Sequence, residues 1–109
     1  MTQVAVIHTA FEDTPRTVAL VDAPEGSVTE QLEYAYRWTQ NIMDSWSMKG
    51  AADGNDRVTL MQPLHVDEQG KEWGHRSTSM GDHMQAMGKT YEVASVGFEE
   101  VESKEVDFA

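Results

Sequence analysis

Cysteine is absent from the 109 residues. That excludes a disulfide framework, a zinc–thiolate site and a thiol nucleophile. Basic residues are scarce, with eight Lys and Arg against nineteen Asp and Glu, a net charge of −11. Arg37, Lys49, Arg57, Lys71, Arg76 and Lys89 stand singly along the chain and form no basic stripe. Direct nucleic-acid recognition is therefore disfavoured, and an acidic surface also repels anionic membrane. No stretch approaches the roughly 20 consecutive apolar residues of a membrane-spanning helix. No basic segment precedes the short apolar run Val4–Ile7, so no signal peptide is expected, and the lack of thiols suits a reducing cytoplasm. Internal repeats and low-complexity segments are also missing.

The length fits one domain over residues 1–109, and a chain of this size buries roughly two-thirds of its unfolded surface without staples. Residues Gln3 to Thr9 read as a strand whose nearly continuous apolar run suits a central position covered on both faces. After the turn Phe11–Arg16, broken by Pro15, Thr17 to Val21 forms a second strand and closes a hairpin. Ser27-Val28-Thr29-Glu30 matches a capping box. Val28, Leu32, Ala35, Thr39, Ile42 and Trp46 then recur at helical spacing, which predicts a helix over about residues 28–44. Arg57 to Leu64 reads as a third strand, with Val58 and Leu60 facing one way and Pro63 placing its end at an edge or a bulge. Asp67–Lys71 is a turn.

Gly88-Lys89 is a two-residue loop with glycine first, as a type II′ turn requires. It pairs Met87 with Thr90, Ala86 with Tyr91, Gln85 with Glu92 and Met84 with Val93. Met84, Ala86, Tyr91 and Val93 then share the core face. Ala94, Val96 and Phe98 fall on the opposite face, which predicts a bulge near Ser95 or a covered face. The last strand extends to about Val101, and a tail from about residue 102 frays. The sum is an α+β fold: an antiparallel sheet of about five strands, order β-β-α-β-β-β, with one main helix packed on one face.

Chemistry concentrates in one turn. His75, Ser77, Asp82 and His83 hold the residue types of a nucleophile, base and carboxylate set. Ser77 lacks the glycine-flanked elbow of such a nucleophile. The plainer reading is a turn: Ser77 or Ser79 as a cap, Gly81 at positive φ, and Asp82 accepting backbone amides. A metal site from His75, Asp82 and His83 matches no ligand spacing, and adjacent strand residues point to opposite faces. Asp53-Gly54-Asn55-Asp56 lacks the alternating ligands and glutamate of a calcium loop. No cofactor, metal or catalytic residue is assigned.

The run Gly74-His75-Arg76-Ser77-Thr78-Ser79-Met80-Gly81-Asp82, with Tyr91-Glu92-Val93 and Gly97-Phe98, resembles the end of many small uncharacterised proteins of phages, plasmids and integrative elements, the YodL-like proteins among them. Those carry an R-S-x-S-x-G-D turn, a short hairpin and a G-F or G-W ending. The likeness covers about the last third of the chain. It implies a mobile-element origin and no chemistry.

The function expected from these features is a non-enzymatic inhibitor that binds a basic, nucleic-acid-binding host protein of the anti-restriction or anti-CRISPR type. Its carboxylates would stand in for DNA phosphates. The candidate partner-binding residues are Glu30, Glu33, Trp38 and Asp44 on the helix and Glu99, Glu100, Glu102, Glu105 and Asp107 toward the end. The charge can also serve solubility alone. Two alternatives stand beside it: a ligand-binding or hydrolytic module centred on His75, Ser77, Asp82 and His83, and a structural virion protein.

Overall fold

The computed structural model describes residues 2–41, 46–48 and 57–101. Two strands, β1 (Thr2–His8) and β2 (Arg16–Ala23), lead into helix α1 (Val28–Trp38). A 3₁₀ turn at Trp46–Met48 precedes β3 (Val58–Leu60) and a small two-stranded hairpin, β4 (His65–Val66) with β5 (Glu72–Trp73). The chain continues through β6 (His83–Ala86), β7 (Lys89–Val93) and β8 (Phe98–Val101). The main sheet has six antiparallel strands in the order β3-β2-β1-β6-β7-β8. With α1 on one face, the fold is α+β, one strand larger than expected and with the small hairpin added.

Helix α1 begins where its capping box predicts. The Ser27 hydroxyl accepts from the Glu30 amide at 3.2 Å, and the Glu30 carboxylate accepts from the Ser27 amide at 2.9 Å. Its buried stripe, Leu32, Ala35 and then Thr39, packs on Val4, Val6, Ala19, Val21, Met84 and Val93 of the sheet. Each fully buried aliphatic side chain of this kind contributes roughly 1.5–3 kcal/mol. The helix stops at Trp38, shorter than the stripe suggests. The Thr39 hydroxyl donates to the Ala35 carbonyl at 2.8 Å and the Gln40 side chain to the Tyr36 carbonyl at 2.9 Å. Side chains thus take carbonyls that further helical amides would have used. Residues 42–45 lie outside the described residues. Trp46 is fully buried as the stripe implies, but from the 3₁₀ turn.

Strand β1 is central, between β2 and β6. Val4 and Val6 face the helix and are fully buried; on the other face Ala5 is half-buried and Ile7 buried. The β1–β2 register shifts between Val6 and Ile7, where Ala19 and Thr17 are the partners and Val18 is left unpaired, a bulge that the sequence did not suggest. The extra residue reverses the alternation beyond it, so Arg16 pairs with His8 and comes to the helix side.

The β6–β7 hairpin closes one position earlier than expected. Ala86 pairs with Lys89, Gln85 with Thr90, Met84 with Tyr91 and His83 with Glu92. The loop is Met87-Gly88, with φ of 55° and 77°, the two positive values of a type I′ turn. This register brings the Gln85 amide to the Thr90 hydroxyl at 3.2 Å and His83 to Glu92 at 3.4 Å. Each partner moves by two residues, so the face assignment survives. Met84, Ala86 and Val93 are buried, and Tyr91 packs against the core.

The bulge expected near Ser95 is instead a reversal. The Ala94 amide donates to the Gly97 carbonyl and Val93 pairs with Phe98, so β8 runs back along β7. Phe98 thereby joins the core face, with its ring 6.2 Å from that of Tyr36, while Val96 is exposed at the tip. β3 is an edge strand as Pro63 implies, shorter than expected, with Val58 against the core and Leu60 partly exposed. Residues 102–109, the expected frayed tail, lie outside the described residues.

Candidate functional site

The pairing of Ile7 with His83 brings the end of β1 beside the start of β6. Asp82 occupies this junction with no solvent exposure. Its Oδ1 accepts from the Thr9 and Ala10 amides at 2.9 and 3.0 Å and from Arg76 Nη2 at 2.8 Å. Its Oδ2 accepts from the Ser79 amide and Arg76 Nη1, both at 2.7 Å. Burial disfavours the charged carboxylate, but Arg76 and the three amides outweigh it and bring the pKa down to about 2. Gly81, at φ 95°, makes the turn into Asp82, and a Cβ there would stand 3.1 Å from the Ala10 side chain.

Arg76 uses all five of its N–H donors. Beyond Asp82, Nη1 donates to the Ser77 carbonyl at 2.9 Å, and Nε and Nη2 donate to the Glu12 carboxylate at 3.2 and 2.8 Å. The Asp82 hydrogen bonds hold the guanidinium protonated, and Arg76 in turn lowers the Glu12 pKa. Phe11 lies against the guanidinium, its ring centroid 4.9 Å from Cζ.

His8 sits next to this pair, 2 % exposed. The Thr39 hydroxyl proton goes to a helix carbonyl, and the Thr78 hydroxyl donates to Thr39 Oγ1 at 2.8 Å. His8 Nε2, 3.0 Å from Thr78 Oγ1, is therefore the donor of that contact. Burial keeps the ring neutral, with its pKa lowered to about 4 despite Asp82 4.0 Å away. The segment from Gly74 to Ser79 is stitched to the end of α1 by further bonds. Asn41 donates its backbone amide to Ser77 Oγ and its side-chain amide to the His75 carbonyl, and Trp46 Nε1 donates to the Arg76 carbonyl at 2.8 Å.

In front of these residues lies a groove of about 580 Å³ between the β1–β2 end and the β4–β5 hairpin. His8, Glu12, Arg16 and Arg76 are among its polar lining, and Val18, Leu64, Val66 and Trp73 among its apolar lining. His75 Nε2 donates to the Gln62 carbonyl at 3.0 Å, so the ring is held against the groove wall.

The four residues of the triad-like turn do not converge. Asp82 is the buried anchor, Ser77 Oγ accepts the Asn41 amide, His75 meets Gln62, and His83 meets Glu92. Among the described residues no group of three or more His, Asp or Glu is placed to hold a metal. The expected partner-binding residues are scattered. Glu30 serves the helix cap, Glu33 is exposed, and Trp38 is half-buried with its ring 6.2 Å from that of Tyr34. Glu99 and Glu100 are exposed on the edge strand β8, with Glu100 3.7 Å from Lys89. Asp44, Glu102, Glu105 and Asp107 lie outside the described residues. Sequence reasoning missed Arg76, Glu12 and His8 as members of one cluster. Their only signal was that the arginine shares a serine-rich turn with Asp82; the other two lie some 70 residues away. Comparison with protein-family models, with curated proteins and with solved structures found no match.

Proposed function

We propose that this protein is a non-enzymatic binding module whose acidic surface engages a basic, nucleic-acid-binding protein, in the manner of a mobile-element inhibitor acting in the host cytoplasm. The observation that carries the reading is the commitment of the reactive-looking groups. Asp82 accepts five hydrogen bonds in a site without solvent, and His75 and Ser77 are tied to backbone groups. A general base or nucleophile needs a free lone pair facing a substrate, and this carboxylate has none to offer. The net charge of −11, by contrast, has exposed carriers: Glu33 and Glu99 are exposed and make no ion pair among the described residues. Such a field accelerates encounter with a basic partner and weakens with salt.

The test is capture of partners from a bacterial lysate, followed by competition with duplex DNA and a salt titration. The expected partner binds DNA, loses this protein when DNA is added, and binds it more slowly as salt rises. Reversing Glu33, Glu99 and Glu100 to lysine together should lower the association rate at least several-fold at low salt. A partner without a basic surface, or binding indifferent to both salt and DNA, would sink the proposal.

A further inference from the structure

We propose that the groove between the β1–β2 end and the β4–β5 hairpin is a binding site for a small planar organic monoanion, an aromatic carboxylate, whose head meets Arg16 and whose ring lies along Trp73. The site is separate from the acidic surface and does not depend on it.

Four observations converge. The groove, at about 580 Å³, has the size of a small-molecule site. Val18, Leu64, Val66 and Trp73 give it apolar and aromatic wall beside its polar groups. Trp73 is half-exposed yet held in place: its Nε1 donates to Asp67 at 3.0 Å and Lys71 Nζ packs 4.4 Å from the ring centre. A ring fixed before binding costs little ordering entropy when a flat ligand lies on it.

The charge of the groove decides the ligand's sign. Among the described residues Glu12 is the only carboxylate lining it, and both of its oxygens are taken by Arg76. Arg76 has no donor left. Arg16 is different: it lines the groove, is exposed, and its side chain makes no ion pair or hydrogen bond among the described residues. On a chain with 19 acids and eight bases, an arginine that meets no carboxylate among the described residues is a cation available to a ligand. The β2 bulge is the device, since it is what turns Arg16 to the side of His8. One uncompensated guanidinium suits one carboxylate, met by a bidentate charge-assisted pair. A polyanion would meet the repulsion of the net −11 charge.

The experiment uses the full chain, titrated with naphthoate and, separately, with the uncharged naphthamide, while amide and indole resonances are followed. The expected result is saturable shifts of the Trp73 indole and of residues 62–66 and 73–76 with naphthoate. Binding should be about tenfold weaker for naphthamide and for Arg16→Gln, the loss of a charge-assisted hydrogen bond. Trp73→Leu should weaken naphthoate by a similar factor. Both substituted side chains are exposed or half-exposed, and the naphthamide comparison needs no variant at all. The proposal is overturned if naphthoate gives no saturable shift at millimolar concentration. It is equally overturned if naphthamide or Arg16→Gln binds as tightly, or if phenyl phosphate dianion outcompetes naphthoate in the same groove.

Discussion

Asp82 and His8 carry opposite risks in the same small volume. Asp82 is charged and buried, and its five hydrogen bonds make that tolerable. Asp82→Asn keeps the shape but sets an NH₂ group against donors and leaves Arg76 short of a counter-charge. It should cost about 3–5 kcal/mol, the range for breaking a buried pair on one side, read as a fall in urea midpoint. A loss under about 1 kcal/mol would mean that the pair is worth no more than an exposed one. Acid should act on both residues. His8 titrates near 4 in the fold and near 6.5 when unfolded. The unfolded chain therefore takes up a proton first, and stability falls from pH 6.5 down to about 4, by about 3 kcal/mol. Asp82 adds a further loss of about 2 kcal/mol as pH drops through its unfolded value toward 2. The difference between wild type and His8→Gln isolates the first step: unfolding free energies should converge as pH falls below 6.5. Parallel curves would show that His8 is not held neutral.

At the scale of elements, the β6–β7 hairpin shows how local chemistry and register trade against each other. Gly88 announced a turn in the sequence, and a turn is there, but glycine takes the second loop position and Met87 the first. A side chain at φ 55° is strained by roughly 1–2 kcal/mol, while Met87 itself is 70 % exposed and packs little. Met87→Asn should therefore stabilise the protein by about 1 kcal/mol, since asparagine tolerates that conformation; thermal and urea unfolding both measure it. A destabilised variant would mean that the methionine side chain makes a contact worth more than the strain. Helix α1 is the complementary case. Its start was legible because Ser27 and Glu30 act within four residues, whereas its end depends on Thr39 and Gln40 turning back on their own carbonyls. The β2 bulge left no trace in the sequence because Val18 suits a strand whether or not it has a partner.

At the scale of the molecule, charge and fold act separately. With a net charge of −11, the compact state suffers self-repulsion that salt relieves. The urea midpoint at neutral pH should rise as sodium chloride is raised from low concentration; a fall would imply that surface ion pairs such as Lys89–Glu100 outweigh the repulsion. The composition and apolar periodicity alone determined the acidic character, the lack of thiol chemistry, the α+β class, the helix start and the inward face of the β6–β7 hairpin. Each of these is encoded in a short window or in a sum over residues. Only the tertiary structure decided that Asp82 is buried under five donors, that Arg76 joins it to Glu12, and that the Arg16 side chain, beside a groove, has no partner among the described residues. The reason is distance along the chain: Asp82 takes two of its three amides from residues 72 and 73 positions away, and Arg76 finds Glu12 at 64. Such partners meet only once β1 and β6 lie side by side.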